Sequence, residues 1–165
     1  MAKTILDIFR KILGKRMAVF LCSMIPIIEL RGAIPLGAGL GLPWWQNYIL
    51  CVIGNMLPVP FILLFIKWFI GLMKKTKKLS GLALWLEKKA EKNRPKVEKY
   101  GFWGLALFVG IPLPMTGAWT GALVAALFDF KFWRSMLAAF VGVLMAGVIM
   151  TLASYGAVGF LGWLL

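Results

Sequence analysis

Apolar residues dominate four stretches of the chain, which cover residues 17–28, 47–73, 100–128 and 135–165. Several of these stretches exceed the roughly 18 to 20 residues with which an α-helix crosses the hydrocarbon core of a bilayer. Short polar or strongly basic segments separate them. The pattern therefore predicts an all-α integral membrane protein in which about four to six helical segments form one domain.

Helix breakers interrupt the first half of this pattern. Twelve uncharged residues from Met17 onward precede Glu29, and a continuous helix over them would advance about 18 Å, to roughly the middle of the bilayer. Trp44 is expected to anchor the next long helix at the membrane interface. Pro58 and Pro60 predict a kink or break further along that helix.

A second set of helix breakers follows the apolar residues 101–111, which also advance about half the depth of the hydrocarbon core. Pro112 and Pro114 lack backbone donors and bias the residues before them away from helix. Thr116 is expected to cap the helix that follows, with the Gly117 amide at its start, and a helix start that faces a cavity can bind an anion. The alternative is a simple proline kink in which Thr116 satisfies a freed carbonyl.

The two halves share an order of features. Residues 31–45 and 116–134 each contain an x-G-A turn after an apolar run, followed by small residues, aromatic residues and a longer helix, which in the second half is expected at about 135–155. Such internal repeats with interrupted helices are typical of transporters. We therefore predict two repeats, 17–73 and 100–165, each with a broken or re-entrant helix followed by a transmembrane helix. The number of crossings leaves open whether the breaks are re-entrant hairpins or kinks in spanning helices.

Positive charge is concentrated in segments 1–16 and 74–99, and the whole chain has a net charge of +13. The positive-inside rule places both segments in the cytoplasm, which makes the chain a multi-pass protein of the inner (cytoplasmic) membrane. Segment 1–16 is expected to be an interfacial amphipathic helix, and segment 74–99 a basic connector between the repeats. Residues 1–165 thus form a single membrane domain, and anionic headgroups explain the charge better than nucleic acid does.

Glu29 and Arg31 are the charged residues that interrupt the first apolar run. Each charge costs about 2.5 to 3.5 kcal/mol near the centre of a membrane helix. Two residues apart, they project on nearly opposite faces of an α-helix, so direct pairing needs locally extended backbone, which Gly32 and Pro35 permit. The pair predicts a polar cavity on a transport pathway. The alternative is that both residues cap a helix near the interface and reach the headgroups.

Two further polar residues are weaker candidates. Arg134 carries a planar fork that suits phosphate or carboxylate, and it lies on a polar edge with Asp129 and Lys131. For Arg134 alone, an interface anchor beside Trp133 explains the residue better. Asn55 fits a helix–helix hydrogen bond better than a ligand contact.

The sequence argues against enzymatic chemistry. It contains no histidine and two cysteines, Cys22 and Cys51, which have no paired spacing. A zinc site is therefore excluded, and both cysteines are interpreted as small lipid- or core-facing residues. Because a nucleophile–base pair and a metal-ligand set are also missing, we expect no catalytic residue, no metal and no cofactor.

Two motifs, ELRGAIPLGAGLGLP at 29–43 and GIPLPMTGAWTGA at 110–122, resemble the small multi-drug export protein family in their order and separation. The resemblance covers nearly the whole chain. That family is similar to the wider DedA/VTT superfamily, in which two re-entrant hairpins meet within the bilayer. The resemblance implies a lipid-translocating function, because DedA members recycle undecaprenyl phosphate and eukaryotic relatives scramble phospholipids.

The resemblance also implies functional groups. In DedA members these are an acidic residue in the first hairpin and arginines in or after the second. By motif position they map onto Glu29 with Arg31, and onto Arg134. The chain departs from the pattern in being shorter and in carrying Thr116 where a charge is expected.

The leading hypothesis is a flippase for an anionic lipid carrier such as undecaprenyl (polyprenyl) phosphate, coupled to protons or another ion. Arg31 and the helix start at Thr116 would hold the phosphate, and Glu29 would exchange a proton. One alternative is proton-coupled efflux of small lipophilic cations that contact aromatic rings, and another is a non-transporting membrane scaffold. The expected partners are membrane lipids, with a homodimer left open. The candidate transport residues are Glu29, Arg31, Gly32, Pro35, Pro112, Pro114, Thr116, Gly117 and Arg134.

Overall fold

The computed structural model describes most of the membrane domain as helices, and it describes no strand among those residues. The predicted all-α class is therefore confirmed. Three predictions lie outside the described residues: the amphipathic helix up to residue 13, most of the basic connector, and the role of Pro114. The described residues are 14–75, 81, 84–85, 88, 91, 101–113, 116–128 and 130–164.

The main helices are short where the sequence contains breakers and long where it is uninterrupted. Helix α7 has 33 residues and extends well beyond the predicted helix over about 135–155. The helices are α1 (residues 14–24), α2 (Glu29–Gly39), α3 (Trp44–Met56), α4 (Val59–Lys75), α5 (Gly101–Gly110), α6 (Ala118–Leu127) and α7 (Phe132–Leu164).

Two helical segments of the described chain are long and apolar enough to cross a membrane. They are Trp44–Ile66, with 23 residues, and Phe132–Ala157, with 26 residues. Helices α5 and α6 are apolar but have only 10 residues each. Ten residues of α-helix advance about 15 Å, which is half of the hydrocarbon core, so neither of these two helices spans it alone.

The break before α2 lies earlier than the sequence suggested. Helix α1 ends at residue 24, and residues 25–28 form a turn in which the Ile28 N–H donates to the Ile25 carbonyl oxygen at 3.1 Å. The prediction of a continuous helix from Met17 to Glu29 is therefore wrong, because Pro26 lacks the donor that helix continuation requires. The predicted x-G-A turn at Arg31 is also wrong, because that residue lies within α2.

The break predicted at Pro58 is confirmed. Helix α3 begins at Trp44, as expected, and ends at Met56, and Leu57 and Pro58 form the turn before α4. Pro60 is tolerated as the second residue of α4, because the first turn of a helix has no intrahelical partner for its N–H groups.

The chain forms two compact units, of which the first comprises Met1–Leu57 with Val143–Leu165. Its helices α2 and α3 pack against each other. Their close approach depends on Gly37, where a Cβ atom would collide with the amide of Asn47. Small residues at helix interfaces let backbones approach closely in membrane proteins.

The second unit is Pro58–Gly142. Here α6 packs on both α4 and α5. A Cβ atom at Gly121 of α6 would lie 2.6 Å from a methyl carbon of Val109, so this glycine sets the distance between α5 and α6. Most residues of α6 are buried, which explains why a helix without an amphipathic pattern is stable here.

We expect Gly142→Ala to destabilise the second unit. A Cβ atom there would lie 2.6 Å from the carbonyl oxygen of Ala106 and 2.6 Å from Cβ of Val109. A backbone carbonyl cannot move aside cheaply, so the free energy of unfolding should fall by about 1 to 3 kcal/mol. Thermal unfolding in detergent measures the change. Gly71→Ala is the matched control, because nothing lies within 4 Å of its Cβ position, and equal unfolding temperatures for both variants would contradict the prediction.

Candidate functional site

Glu29 is a buried carboxylate in a strained backbone conformation. It is the first residue of α2, its exposed fraction is 5%, and its φ of 49° lies in the left-handed region. That conformation costs an L-residue roughly 1 to 2 kcal/mol. Strain of this kind persists where the surroundings impose it, and it is concentrated at functional sites.

The turn before α2 positions this carboxylate. The Glu29 N–H donates to the Ile25 carbonyl oxygen at 2.8 Å, and the Gly32 N–H donates to the Ile28 carbonyl oxygen at 3.0 Å. Glu29 therefore stands at the N-terminal end of α2, where the helix dipole favours a negative charge.

Arg31 is half-buried in the same first turn of α2, and its charge interacts with that of Glu29. The backbone at Arg31 is helical and the departure from helical geometry lies at Glu29, so a direct contact between the two side chains stays a prediction. Gly32 is half-buried, whereas Pro35 is exposed on α2. For Gly32 and Pro35, contact with a substrate stays a prediction.

Asn47 holds together three parts of the first unit. It is fully buried, and its amide nitrogen donates to the Ile34 carbonyl oxygen at 2.8 Å and to the Tyr155 hydroxyl at 3.0 Å. That hydroxyl in turn donates to the Leu42 carbonyl oxygen at 2.7 Å. The network joins α2, α3 and α7 by side-chain bonds. No pattern in the sequence distinguishes Asn47 as the centre of this network.

Asn55 is also buried, but its side-chain amide makes no hydrogen bond within the described chain. Its exposed fraction is 1%, and neither its Oδ1 nor its Nδ2 has a hydrogen-bond partner among the residues described. The interpretation of Asn55 as a helix–helix hydrogen bond is therefore wrong, and Asn47 fills that role. An unsatisfied buried amide costs about 1 to 3 kcal/mol, so Asn55 is available to a ligand or water that enters the first unit.

The two buried cysteines agree with their predicted role. Cys22 on α1 and Cys51 on α3 are free thiols with exposed fractions of 0%. The Cys51 thiol donates to Oδ1 of Asn47 at 3.5 Å. Both are core-facing small residues, as interpreted from the sequence.

In the second unit, Thr116 does not cap a helix. Its hydroxyl lies 3.0 Å from the Ile111 carbonyl oxygen and 2.9 Å from the Leu113 carbonyl oxygen, and donates to them. The N-cap of α6 is Gly117, with a φ of 134° that only glycine adopts readily. The prediction of a threonine cap is wrong. Thr116 satisfies freed carbonyls beside Pro112, as the alternative expected, but the simple kink of that alternative is not found, because α5 ends at Gly110 and α6 begins at Ala118.

A cavity of about 570 Å³ opens in the second unit at the start of α7. Lys131 and Arg134 are exposed on it, and Ser135 lies in its wall with an exposed fraction of 2%. The Ser135 hydroxyl has no hydrogen-bond partner in the described part of the chain. We call this the basic cavity, and its aromatic wall consists of Phe102, Trp103 and Phe130.

A second cavity, of about 510 Å³, lies in the first unit. We call it the aromatic cavity, because Trp44, Tyr48 and Tyr155 line it together with aliphatic residues. Its one buried hydroxyl without a partner in the described chain is that of Thr151. The cavity is otherwise apolar and suits a lipophilic molecule.

The predicted transport residues are divided between the two units. That all of them act at one site stays a prediction. Glu29, Arg31, Gly32 and Pro35 belong to the first unit, and Pro112, Thr116, Gly117 and Arg134 to the second.

Long apolar helical segments, with a buried glutamate and a half-buried arginine at a helix break, indicate an α-helical membrane protein. The family model "Putative small multi-drug export protein" matches residues 29–149, and the chain belongs to this family. No curated protein and no solved structure matches the chain. The family name fits a transporter, whereas the similarity to the DedA/VTT superfamily, the inner-membrane location and the orientation stay predictions.

Proposed function

We propose that the protein transports an anionic lipid carrier, such as polyprenyl phosphate, across the membrane together with a proton. The observation that carries the proposal is Glu29, a buried carboxylate held in a left-handed conformation at the start of α2 and coupled by charge to Arg31. Ionisable groups within membrane domains are costly, and they mark substrate and proton pathways.

The charge pair suggests how phosphate and proton are coupled. In this proposal, the Glu29 carboxylate balances the charge of Arg31 while no substrate is bound. A phosphate oxygen that binds the guanidinium takes over this role, because Arg presents a planar fork to an oxyanion. Glu29 would then be a second buried negative charge beside the phosphate, and it takes up a proton. The net charge at the site stays constant, which lowers the cost of moving the headgroup through hydrocarbon.

We further propose that the two halves are structural repeats with broken helices. The support is the succession of elements: α1 and α2 are short and precede the span Trp44–Ile66, and α5 and α6 are short and precede α7. Transporters built from repeats bind their substrates where such interrupted helices begin. Glu29 and Gly117 are at helix starts of this kind.

Arg31→Ala tests the proposal in proteoliposomes that contain polyprenyl phosphate. Because removing a charged group that binds a desolvated phosphate costs about 2 to 5 kcal/mol, we expect the flipping rate to fall about 100-fold. The matched control is Arg16→Ala, which removes an exposed arginine of α1 and should leave the rate unchanged. Wild-type protein that does not move polyprenyl phosphate, or an Arg31→Ala variant as fast as wild type, would refute the proposal.

The aromatic cavity favours a second candidate function, the proton-coupled efflux of lipophilic cations. Its three aromatic rings can make cation–π contacts, and Glu29 would supply the counter-charge. Transport of tetraphenylphosphonium distinguishes the two functions. Efflux should survive Arg31→Ala and should fall on Trp44→Ala, whereas flipping of polyprenyl phosphate should show the reverse pattern.

A further inference from the structure

The basic cavity contains hydrogen-bond donors and two positive charges. Lys131 precedes α7, and Arg134 and Ser135 lie in its first turn. The first turn of a helix also presents N–H groups that have no intrahelical acceptor, at the positive end of the helix dipole. A ligand that fits this cavity must therefore supply negatively charged oxygen atoms.

Ser135 is the independent sign that the cavity binds something. Its exposed fraction is 2%, and its hydroxyl has no hydrogen-bond partner in the described chain. Its backbone N–H is already used, because it donates to the Lys131 carbonyl oxygen at 2.9 Å. Leaving a buried hydroxyl unsatisfied is costly. An oxyanion held between Lys131 and Arg134 would accept the bond that the protein does not provide.

The surroundings of the cavity favour a lipid over a free anion. The cavity lies at the beginning of the apolar span Phe132–Ala157, where a membrane helix passes from headgroups to hydrocarbon. Trp103, 62% exposed, lies on its wall and contacts Phe102 edge-to-face, with ring centroids 5.2 Å apart. Aromatic rings are enriched at that depth, and basic pockets there bind anionic headgroups.

We propose that the basic cavity binds the phosphate group of an anionic lipid at the membrane surface. Lys131 and Arg134 bind the phosphate by charge, Ser135 donates a hydrogen bond to one of its oxygens, and Trp103 packs against the start of an acyl chain. The site goes beyond the proposed function, because it contains neither Glu29 nor Arg31, shares only Arg134 with the candidate transport residues, and binds the lipid whether or not the lipid is moved.

Calorimetric titration of the detergent-purified full chain tests this site. The probes are dioctanoyl phosphatidic acid and dioctanoyl phosphatidylcholine, and we expect the former to bind at least about tenfold more tightly. The double variant K131A/R134A should weaken binding of phosphatidic acid by about 100-fold. The control K75A/R16A also removes one exposed lysine and one exposed arginine, outside the cavity, and should bind like wild type. Equal binding by the two double variants would overturn the proposal.

Ser135→Ala keeps the net charge and nearly the volume of the side chain. We expect it to weaken binding of phosphatidic acid by about tenfold, because a hydrogen bond to a charged oxygen is lost. The unfolding temperature without lipid should stay the same or rise, which a merely structural role of the hydroxyl would not produce. Unchanged affinity in this variant would remove Ser135 from the site.

Two further results distinguish this lipid site from a site for free phosphate and from the proposed transport site. Inorganic phosphate should displace phosphatidic acid only at far higher concentration than that of the lipid, and displacement at equal concentration would assign the cavity to free phosphate and overturn the lipid assignment. Binding is measured without transport. Arg31→Ala should therefore leave binding at the basic cavity intact even where flipping is lost, and loss of both activities in that variant would contradict a separate site.

Discussion

Replacing Glu29 with glutamine is expected to abolish proton-coupled transport while the protein still folds. Glutamine keeps the size of the side chain but can neither carry the charge nor exchange the proton, so the rate in proteoliposomes should fall by about 100-fold or more. The wild-type rate should change when a pH gradient is imposed, and the variant's residual rate should not. Size-exclusion chromatography in detergent establishes that the variant is folded.

Glu91→Gln is the matched control, since Glu91 is an exposed glutamate in the described part of the basic connector. It should transport like wild type. Glu29→Gly adds a separate readout, because glycine adopts the φ of 49° without strain. We expect that variant to unfold at the same or a higher temperature and to be inactive. If the Glu29→Gln variant transported as fast as wild type, both proposed transport functions would be contradicted in their use of Glu29, and the scaffold alternative would be favoured.

Gly37→Ala is expected to cause a large loss of stability. The added Cβ would occupy the position of the Asn47 amide, which bonds the Ile34 carbonyl oxygen and the Tyr155 hydroxyl. Displacing that amide leaves several buried polar groups unsatisfied, so the free energy of unfolding should fall by about 3 kcal/mol or more. Thermal unfolding and the fraction of monodisperse protein after purification both report the change.

Gly39→Ala provides the control within the same helix. Nothing lies within 4 Å of its Cβ position, so the substitution should be neutral or slightly stabilising. Adding Asn47→Ala to the Gly37→Ala variant should cost much less than Asn47→Ala costs alone, because the network is already broken. Additive effects of the two substitutions would show that Gly37 and Asn47 act separately.

The sequence predicted some of the helix ends that depend on local chemistry, but not the end of α1 before Pro26. The end of α5 before Pro112 and the turn at Pro58 follow from missing donors and fixed φ angles. Pro35 was a counter-example, because it lies within α2. A proline inside a helix costs about 3 kcal/mol, and the packing of α2 on α3, with the Asn47 bond to the Ile34 carbonyl oxygen, offsets that cost.

The candidate site was predicted only in part. Charge in an apolar run identified Glu29 and Arg31, but the left-handed backbone of Glu29 depends on the preceding turn and has no signature in the residue itself. Asn47 and Asn55 are the same residue type on one apolar helix, and contact with Gly37 distinguishes them. The basic cavity brings Trp103 beside Ser135, which are 32 positions apart in the sequence.

The burial of both native thiols has a practical consequence for mapping this protein. Cys22 and Cys51 have exposed fractions of 0%, so maleimide reagents should not reach them in the folded chain. Single cysteines can therefore be introduced into the wild-type background at exposed positions such as Lys75 and Trp133. Their labelling from one face of sealed vesicles would then report the sidedness of each position.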